Sequence, residues 1–474
     1  MPTQRPNILV IMTDEHDRAV AGCYGDQLVR TPHLDELAAN GVTFDAAYTT
    51  SPLCVPGRLS FTACQYISRC GAWNNSCRLS SNDYPSLPHA LNAAGYEAYL
   101  SGKMHYDAEH RYGFTDIAPQ NYNKAYQTGL SKWRRPDDTS INEKQWLDRT
   151  SQFQVSETSH YMEHDQSITR TCSKFLQERT AREKPFFLLA GYLCPHFPLI
   201  VPERYASRYR GKVPAPNIPP GFLDKLPRNY KQLRCGFGVE GSDEAVQRKG
   251  RDLYWGLVEW IDNEIGQLLA ALKANPTIAE NTIVVYTSDH GENKGDHGLW
   301  WKNNMYEHAA GVPLIISWPE HWKGGQRRSG ACSFVDLVQT MAAWAGAEPH
   351  ETWDGNSLDR YLDDSTHAWK DFALSEYYGH NICSGITMVR QGRFKYVYHN
   401  SAGEGFGPER ELYDLQTDPG EFHNLAVGAA HRATLDALHT RMLQELREDP
   451  EAINARCIAN MARGYGRPPR KAIA

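Results

Sequence analysis

Three apolar runs in this chain end abruptly in polar residues. Asn7–Met12 (NILVIM) runs into Thr13-Asp14-Glu15, Pro185–Leu193 (PFFLLAGYL) into Cys194-Pro195-His196, and Thr282–Tyr286 (TIVVY) into Thr287-Ser288-Asp289-His290-Gly291. Unbroken apolar stretches of this kind suit strands covered on both faces, because a strand with one wet face would alternate. Between them lie His33–Ala39, Leu87–Ala94 and Leu253–Ala274, whose apolar residues recur at helical spacing. Strands alternating with helices predict an α/β fold with a large, mostly parallel sheet sandwiched by helices. Ligands of such sheets bind beyond the carboxyl ends of the strands, so the polar clusters are expected to meet there.

The 474 residues exceed what a single core holds. We expect a catalytic α/β domain over residues 1–370 and a C-terminal subdomain over 371–474. In the latter, Gly385–Val389 and Phe394–Tyr398 read as a hairpin of a small antiparallel sheet, and Ala429–Glu448 reads as a helix. Ser131–Ser159 is polar, contains Trp133 and Trp146, follows no clear period, and is a candidate substrate-facing insertion.

A net charge of -6, with no basic run beyond the tail RGYGRPPRK, argues against nucleic-acid binding and favours a small-molecule partner. No apolar segment approaches the roughly 18 residues of a membrane span, so no membrane association is expected. The start of the chain lacks the layout of a secretory signal, and the 11 cysteines include no C-x-x-C pair. A cytoplasmic location follows as the expectation, with a homo-oligomer on base rates. The basic tail after Cys457 is either an arm exchanged between subunits or a disordered terminus.

Asp14, Asp289 and His290 offer two carboxylates and an imidazole at strand ends, a set able to ligate one divalent cation. A lone Asp at such a turn is more often a helix cap, and only its companions change that reading. An imidazole among oxygen donors tilts the choice toward manganese over calcium, and both stay open. Glu15 is either a ligand or an acceptor that orients one. Arg58, Lys103, His105, His196 and Lys302 are individually ordinary surface or structural residues, but gathered around a cation they suit a tetrahedral oxyanion.

Cys54 stands in a C-x-P-x-R arrangement with Pro56 and Arg58. A plain thiolate nucleophile there would draw help from the following helix N-terminus and from Arg58. That reading gives Pro56 no task. Trp73, Tyr106, Trp300 and Trp301 could face an aryl ring, a sugar or a quaternary ammonium, or simply pack in the core.

CVPGR followed by LSFTAC resembles the signature of the formylglycine-dependent sulfatases of the alkaline phosphatase superfamily. NILVIMTDE, TPHLDELAANGVTF, GYEAYLSGKMHY, PHFP, YTSDHGE, GLWWKNNMYEHAAGVPLII and ELYDLQTDPGEFHNLA follow in that family's order. The resemblance implies that Cys54 is oxidised to an aldehyde by a formylglycine-generating enzyme, with Pro56 and Arg58 in the recognition sequence. It implies hydrolysis of a sulfate monoester. One hydroxyl of the aldehyde hydrate attacks sulfur, the alcohol leaves, and deprotonation of the second hydroxyl expels sulfate from the sulfated hemiacetal. Asp14, Glu15, Asp289, His290 and modified Cys54 then surround the metal; Lys103, His105, His196 and Lys302 face the sulfate and leaving group; Arg58 holds the hydrate.

Gly57 departs from the usual Ser or Ala, Ala63-Cys64 from the usual Thr-Gly, and His290 from the more frequent Asn. The last is similar to choline sulfatases and phosphonate monoester hydrolases. A phosphonate monoester or phosphate diester hydrolase is therefore the alternative enzyme, and an anion-binding protein with unmodified Cys54 the non-catalytic one.

Overall fold

The computed structural model describes residues 5–107, 109–118, 133–180 and 182–464. Asn7–Asp14 (β1) is buried along its whole length. Around it Val42–Phe44 (β2), Glu97–Gly102 (β3), Thr115–Asp116 (β4), Phe186–Pro195 (β5), Thr282–Ser288 (β6), Leu314–Ser317 (β7) and Gln326–Arg328 (β8) complete an eight-stranded sheet. The spatial order is β8-β2-β7-β6-β1-β5-β3-β4. Neighbours run parallel except at β7, which is antiparallel to both β6 and β2.

Helices cover both faces, which is why the central strands read as unbroken apolar runs. Pro32–Ala39 (α1), Cys54–Ala63 (α2), Leu87–Ala93 (α3), Glu143–Thr150 (α4), His160–Glu178 (α5), Glu244–Lys273 (α6) and Phe334–Ala345 (α7) supply this cover or the site. Successive strand residues point to opposite sides. Leu9 and Ile11 join Leu188, Val284, Ile168 and Ile261 in one buried cluster. Val10 and Met12 join Phe187, Val285, Leu59 and Met341 in the other.

The expected helix from Leu253 begins earlier, at Glu244, where Asp243 accepts a hydrogen bond from the Ala245 N–H at 2.7 Å. Its first turns are exposed, so apolar spacing becomes visible only where the helix reaches the core. The sequence reading passed over α5. Ser159 caps it by accepting from the Met162 N–H, and Met162, Ile168, Cys172 and Leu176 mark its buried stripe.

Phe372–Tyr377 (β9), Ile386–Gln391 (β10), Phe394–His399 (β11) and Glu409–Asp414 (β12) form a four-stranded antiparallel meander that contains the expected hairpin. The predicted helix over 429–448 is shorter, Arg432–Leu446 (α8), and Pro450–Ala462 (α9) follows. Tyr377, Met388 and Val397 enter the first cluster and Leu374, Val389 and Leu412 the second, so the small sheet shares both cores of the large one. Residues 465–474, most of the basic tail, lie outside the described residues.

β3 and β5 meet where Gly191 abuts the start of the Lys103 segment. A Cβ on Gly191 would overlap the Lys103 carbonyl oxygen. Gly191→Ala is therefore expected to lower stability by about 2–3 kcal/mol and to displace Lys103. Thermal melting reads the first effect and KM for a sulfate ester the second. An unchanged melting temperature would refute the close approach.

Candidate active site

The strand ends converge as the fold class predicts. Asp14 closes β1, Asp289 and His290 follow β6, Lys103 and His105 follow β3, and His196 follows β5. Cys54 is the first residue of α2, a helix buried throughout. Its Sγ stands 3.2 Å from His290 Nε2 and 3.8 Å from Asp14 Oδ1. Ligand atoms from Asp14, Cys54, Asp289 and His290 all lie within 4.8 Å of one another, and so do those from Asp14, Glu15 and His196.

This donor set fits a divalent cation. His290 Nδ1 faces the Gly291 carbonyl oxygen at 3.0 Å. That contact puts the ring proton on Nδ1 and turns the Nε2 lone pair toward Cys54. Glu15, at a φ of 68°, is held by its backbone: its N–H donates to Asp289 Oδ1 at 3.2 Å, and Tyr254 Oη–H donates to its carbonyl at 2.6 Å. Glu15 Oε2 pairs with Lys302 Nζ at 2.9 Å, and Oε1 is buried with no partner among the described residues. A cation between these carboxylates would satisfy that oxygen.

Cations balance the cluster. Arg58, fully buried, donates Nε to Asp289 Oδ2 at 2.8 Å and Nη2 to Asp14 Oδ2 at 3.0 Å, while Nη1 reaches the Lys103 carbonyl at 2.6 Å. Lys103 Nζ pairs with Asp14 Oδ2. Burial opposes ionisation of Asp14, but the permanent cations Lys103 and Arg58 outweigh it and hold the carboxyl well below the usual range. Burial lifts Glu15 to about 8 against the pull of Lys302. His105 and His196 are both driven well below their ordinary value, first by burial and then by Lys103 and Lys302 respectively, so both rings are neutral at pH 7. His196 Nε2 lies 3.2 Å from Glu15 Oε2.

The surroundings give the thiolate reading of Cys54 no help. Burial, reinforced by Asp14, pushes the thiol up to about 12, and Arg58 spends its donors on Asp14, Asp289 and backbone oxygens. Gly57 sits under Cys54 where a Cβ would be 3.0 Å from the Ser51 carbonyl oxygen and 3.3 Å from that of Asp289, so the departure from Ser or Ala accompanies a close approach. Cys64 ends α2 in the left-handed conformation, φ 52°, that glycine takes without strain.

Sequence reasoning missed the scaffold behind Lys302. Asp17, fully buried, receives Lys294 Nζ at 2.5 Å and lies 2.8 Å from His308 Nδ1, and Glu292 Oε1 accepts from the backbone N–H groups of Lys294 at 2.8 Å and Trp301 at 2.6 Å. These contacts fold 292–308 under the site. The sequence signal was the density of charge in GENKGD, which looks like a surface loop. Arg149 was missed too. It comes from α4 within the unassigned 131–159 stretch, and its guanidinium carbon lies 4.3 Å from the Trp301 ring centroid, 5.1 Å from Phe197 and 5.2 Å from Phe237. Of the aromatics near the motifs, Trp73, Tyr106 and Trp300 are buried against Tyr378, Tyr112 and Phe153 respectively.

Among the described residues no helix is long and apolar enough to cross a membrane. The chain is 29% identical to a choline-sulfatase of Rhizobium meliloti, over 98% of this chain and 91% of that protein. It superimposes with a TM-score of 0.74 at 23% identity on a protein solved in complex with its substrate D-glucosamine-2-N,6-O-disulfate, covering 94% of this chain and 99% of that one. For a phosphonate monoester hydrolase from Silicibacter pomeroyi the TM-score is 0.73 at 24% identity, covering 94% and 96%. The C-terminal profile of N-sulphoglucosamine sulphohydrolase matches residues 295–449, and the sulfatase profile matches residues 6–347. With the profile spanning most of its length, this chain belongs to the sulfatase family.

Proposed function

We propose that the protein hydrolyses a sulfate monoester through a sulfated enzyme intermediate formed on Cys54 after its conversion to formylglycine. One observation carries the reading: Cys54 stands at the centre of the donor cluster, 3.2 Å from His290 Nε2, yet its surroundings make it a poor nucleophile as a thiol. A hydrated aldehyde there would supply one hydroxyl for attack on sulfur and a second whose deprotonation expels sulfate. A divalent cation held by Asp14, Glu15, Asp289 and His290 would supply charge neutralisation and polarisation of the sulfate.

The chain's own residues do the remaining work. Lys103 and Lys302 face the charge on the sulfate oxygens. His196, whose Nε2 lies 3.2 Å from Glu15 Oε2, and His105, two residues after Lys103, are the candidates for proton transfer. Arg58 fixes both carboxylates that hold the cation. A phosphonate monoester offers the same tetrahedral anionic centre, so slower turnover of an aryl phosphonate at this site belongs to the proposal.

Mass analysis of the peptide containing Cys54 tests it, beside sulfate release by the same preparation. The expected result is an aldehyde in active protein and a thiol in inactive protein. Activity with an intact thiol would overturn the reading. Chelation is expected to reduce sulfate release at least about 100-fold, restored by manganese or calcium, and metal analysis of the active protein identifies which. A kcat/KM ratio favouring the phosphonate would make the alternative the primary activity.

A further inference from the structure

The cations of the site described above have carboxylate partners, with Arg149 as the exception. Arg58 holds Asp14 and Asp289, Lys103 pairs with Asp14, and Lys302 with Glu15. Arg149 makes no side-chain hydrogen bond or ion pair among the described residues. It rests on rings instead: Trp301 immediately precedes Lys302, and Phe197 immediately follows His196, so its aromatic seat is joined to two residues of the sulfate cradle. A guanidinium brings five donors in a planar fork. The side chain is half-buried and its nitrogens keep access to solvent, so an anion arriving from solvent can engage those donors in charge-assisted hydrogen bonds.

The same seat bears on what cannot bind. A quaternary ammonium is recognised by open aromatic faces. Here the Trp301 ring carries a protein cation 4.3 Å from its centroid, and Trp73, Tyr106 and Trp300 are enclosed in the core. A choline-like group would meet a covered ring and a like charge. Beyond Phe237, whose ring lies 5.9 Å from that of His380, burial and then Arg149 push His380 down to about 4, leaving a neutral ring able to donate or accept a hydrogen bond.

Resting on the sulfatase reading above, we propose that Arg149 receives an anionic group, a carboxylate or a second sulfate, on the alcohol half of the substrate. The substrates are then anionic sulfate esters and not choline-like ones. Arg149 binds the part that leaves, and Phe197, Phe237 and Trp301 hold its guanidinium in place.

The test compares kcat/KM for the sulfate esters of 3-hydroxybenzoate and 3-hydroxybenzamide, resorcinol disulfate, and choline sulfate, using metal-loaded protein with formylglycine at position 54. The acid, the disulfate or both are expected to exceed the amide by roughly 10- to 100-fold, mainly through KM, with choline sulfate below the amide. Whichever anionic ester gains identifies the group. In Arg149→Met the advantage is expected to fall to about one, and Arg149→Lys to restore part of it. Equal rates for acid and amide, an advantage that survives Arg149→Met, or a preference for choline sulfate would overturn the inference while leaving the sulfatase reading intact. Failure to turn over any ester would remove that reading. Calorimetric binding of 3-hydroxybenzoate against 3-hydroxybenzamide then decides the anion site by itself: tighter binding of the acid, lost in Arg149→Met, supports it, and equal binding ends it.

Discussion

Cys54→Ala is expected to reduce sulfate release at least about 1,000-fold while costing the fold no more than about 1 kcal/mol. The two effects separate because of where the sulfur sits. Its side chain is small and its polar neighbours among the described residues are His290 Nε2 at 3.2 Å and Asp14 Oδ1 at 3.8 Å, neither a strong partner for a thiol. The carboxylates keep Arg58 and Lys103, so no buried charge is exposed by the change. Chemistry is another matter: Lys103, Lys302 and the histidines can hold a sulfate ester but leave nothing at position 54 to attack it. Sulfate release and thermal melting on one preparation check both halves. Activity within tenfold of the wild type would assign the nucleophile elsewhere.

Lys395→Met is expected to cost about 3–5 kcal/mol and to weaken catalysis from a distance. Lys395 on β11 is fully buried, pairs with Glu307 at 2.6 Å and Glu421 at 2.7 Å, and donates to the Met305 carbonyl at 2.7 Å. It ties the small sheet to the loop that carries Lys302. Without it the half-buried Glu307 and the buried Glu421 face each other with only Arg18, Arg390 and the Tyr48 hydroxyl among the described residues in support. The sign with pH follows from those carboxylates. Burial works against Glu307, but Lys395 and Arg18 outweigh it and hold Glu307 well below its ordinary value, so in the wild type its contribution is present above the unfolded pKa and lost only in acid. Burial already raises Glu421 to about 7. In the variant both carboxyls are pushed upward, so the deficit is largest above about pH 8 and shrinks toward about pH 5 as protonation removes the uncompensated charge. Chemical denaturation at the two pH values measures it. A deficit that grows in acid would contradict the network.

The convergence of Asp14, Asp289, His290, Lys103, His105 and His196 was legible in the sequence because strand ends in a parallel sheet share one edge, and apolar runs announce where strands end. The hairpin at Gly392 was legible for a similar local reason. What Arg58 does was not, since its acceptors sit on β1, after β3 and after β6 and only the closed fold brings them together. Arg149 escaped because α4 shows a single buried apolar residue, Trp146, and so has no stripe to read. Lys395, Glu307 and Glu421 were not singled out at all. Charged residues carry no periodic mark that tells a buried network from a wet face. Which strand of the mostly parallel sheet would run against its neighbours, the short β7, was likewise invisible in the pattern.

The central place of β1 sets an order of events during synthesis. Its two neighbours are made only when the ribosome has reached residues 186–195 and 282–288, so the first strand emerges and waits without lateral partners. Throughout that interval the segment around position 54 has no Asp289 or His290 beside it. An enzyme acting on the nascent polypeptide meets an open target, and one arriving after the chain has closed finds Cys54 only 2% exposed.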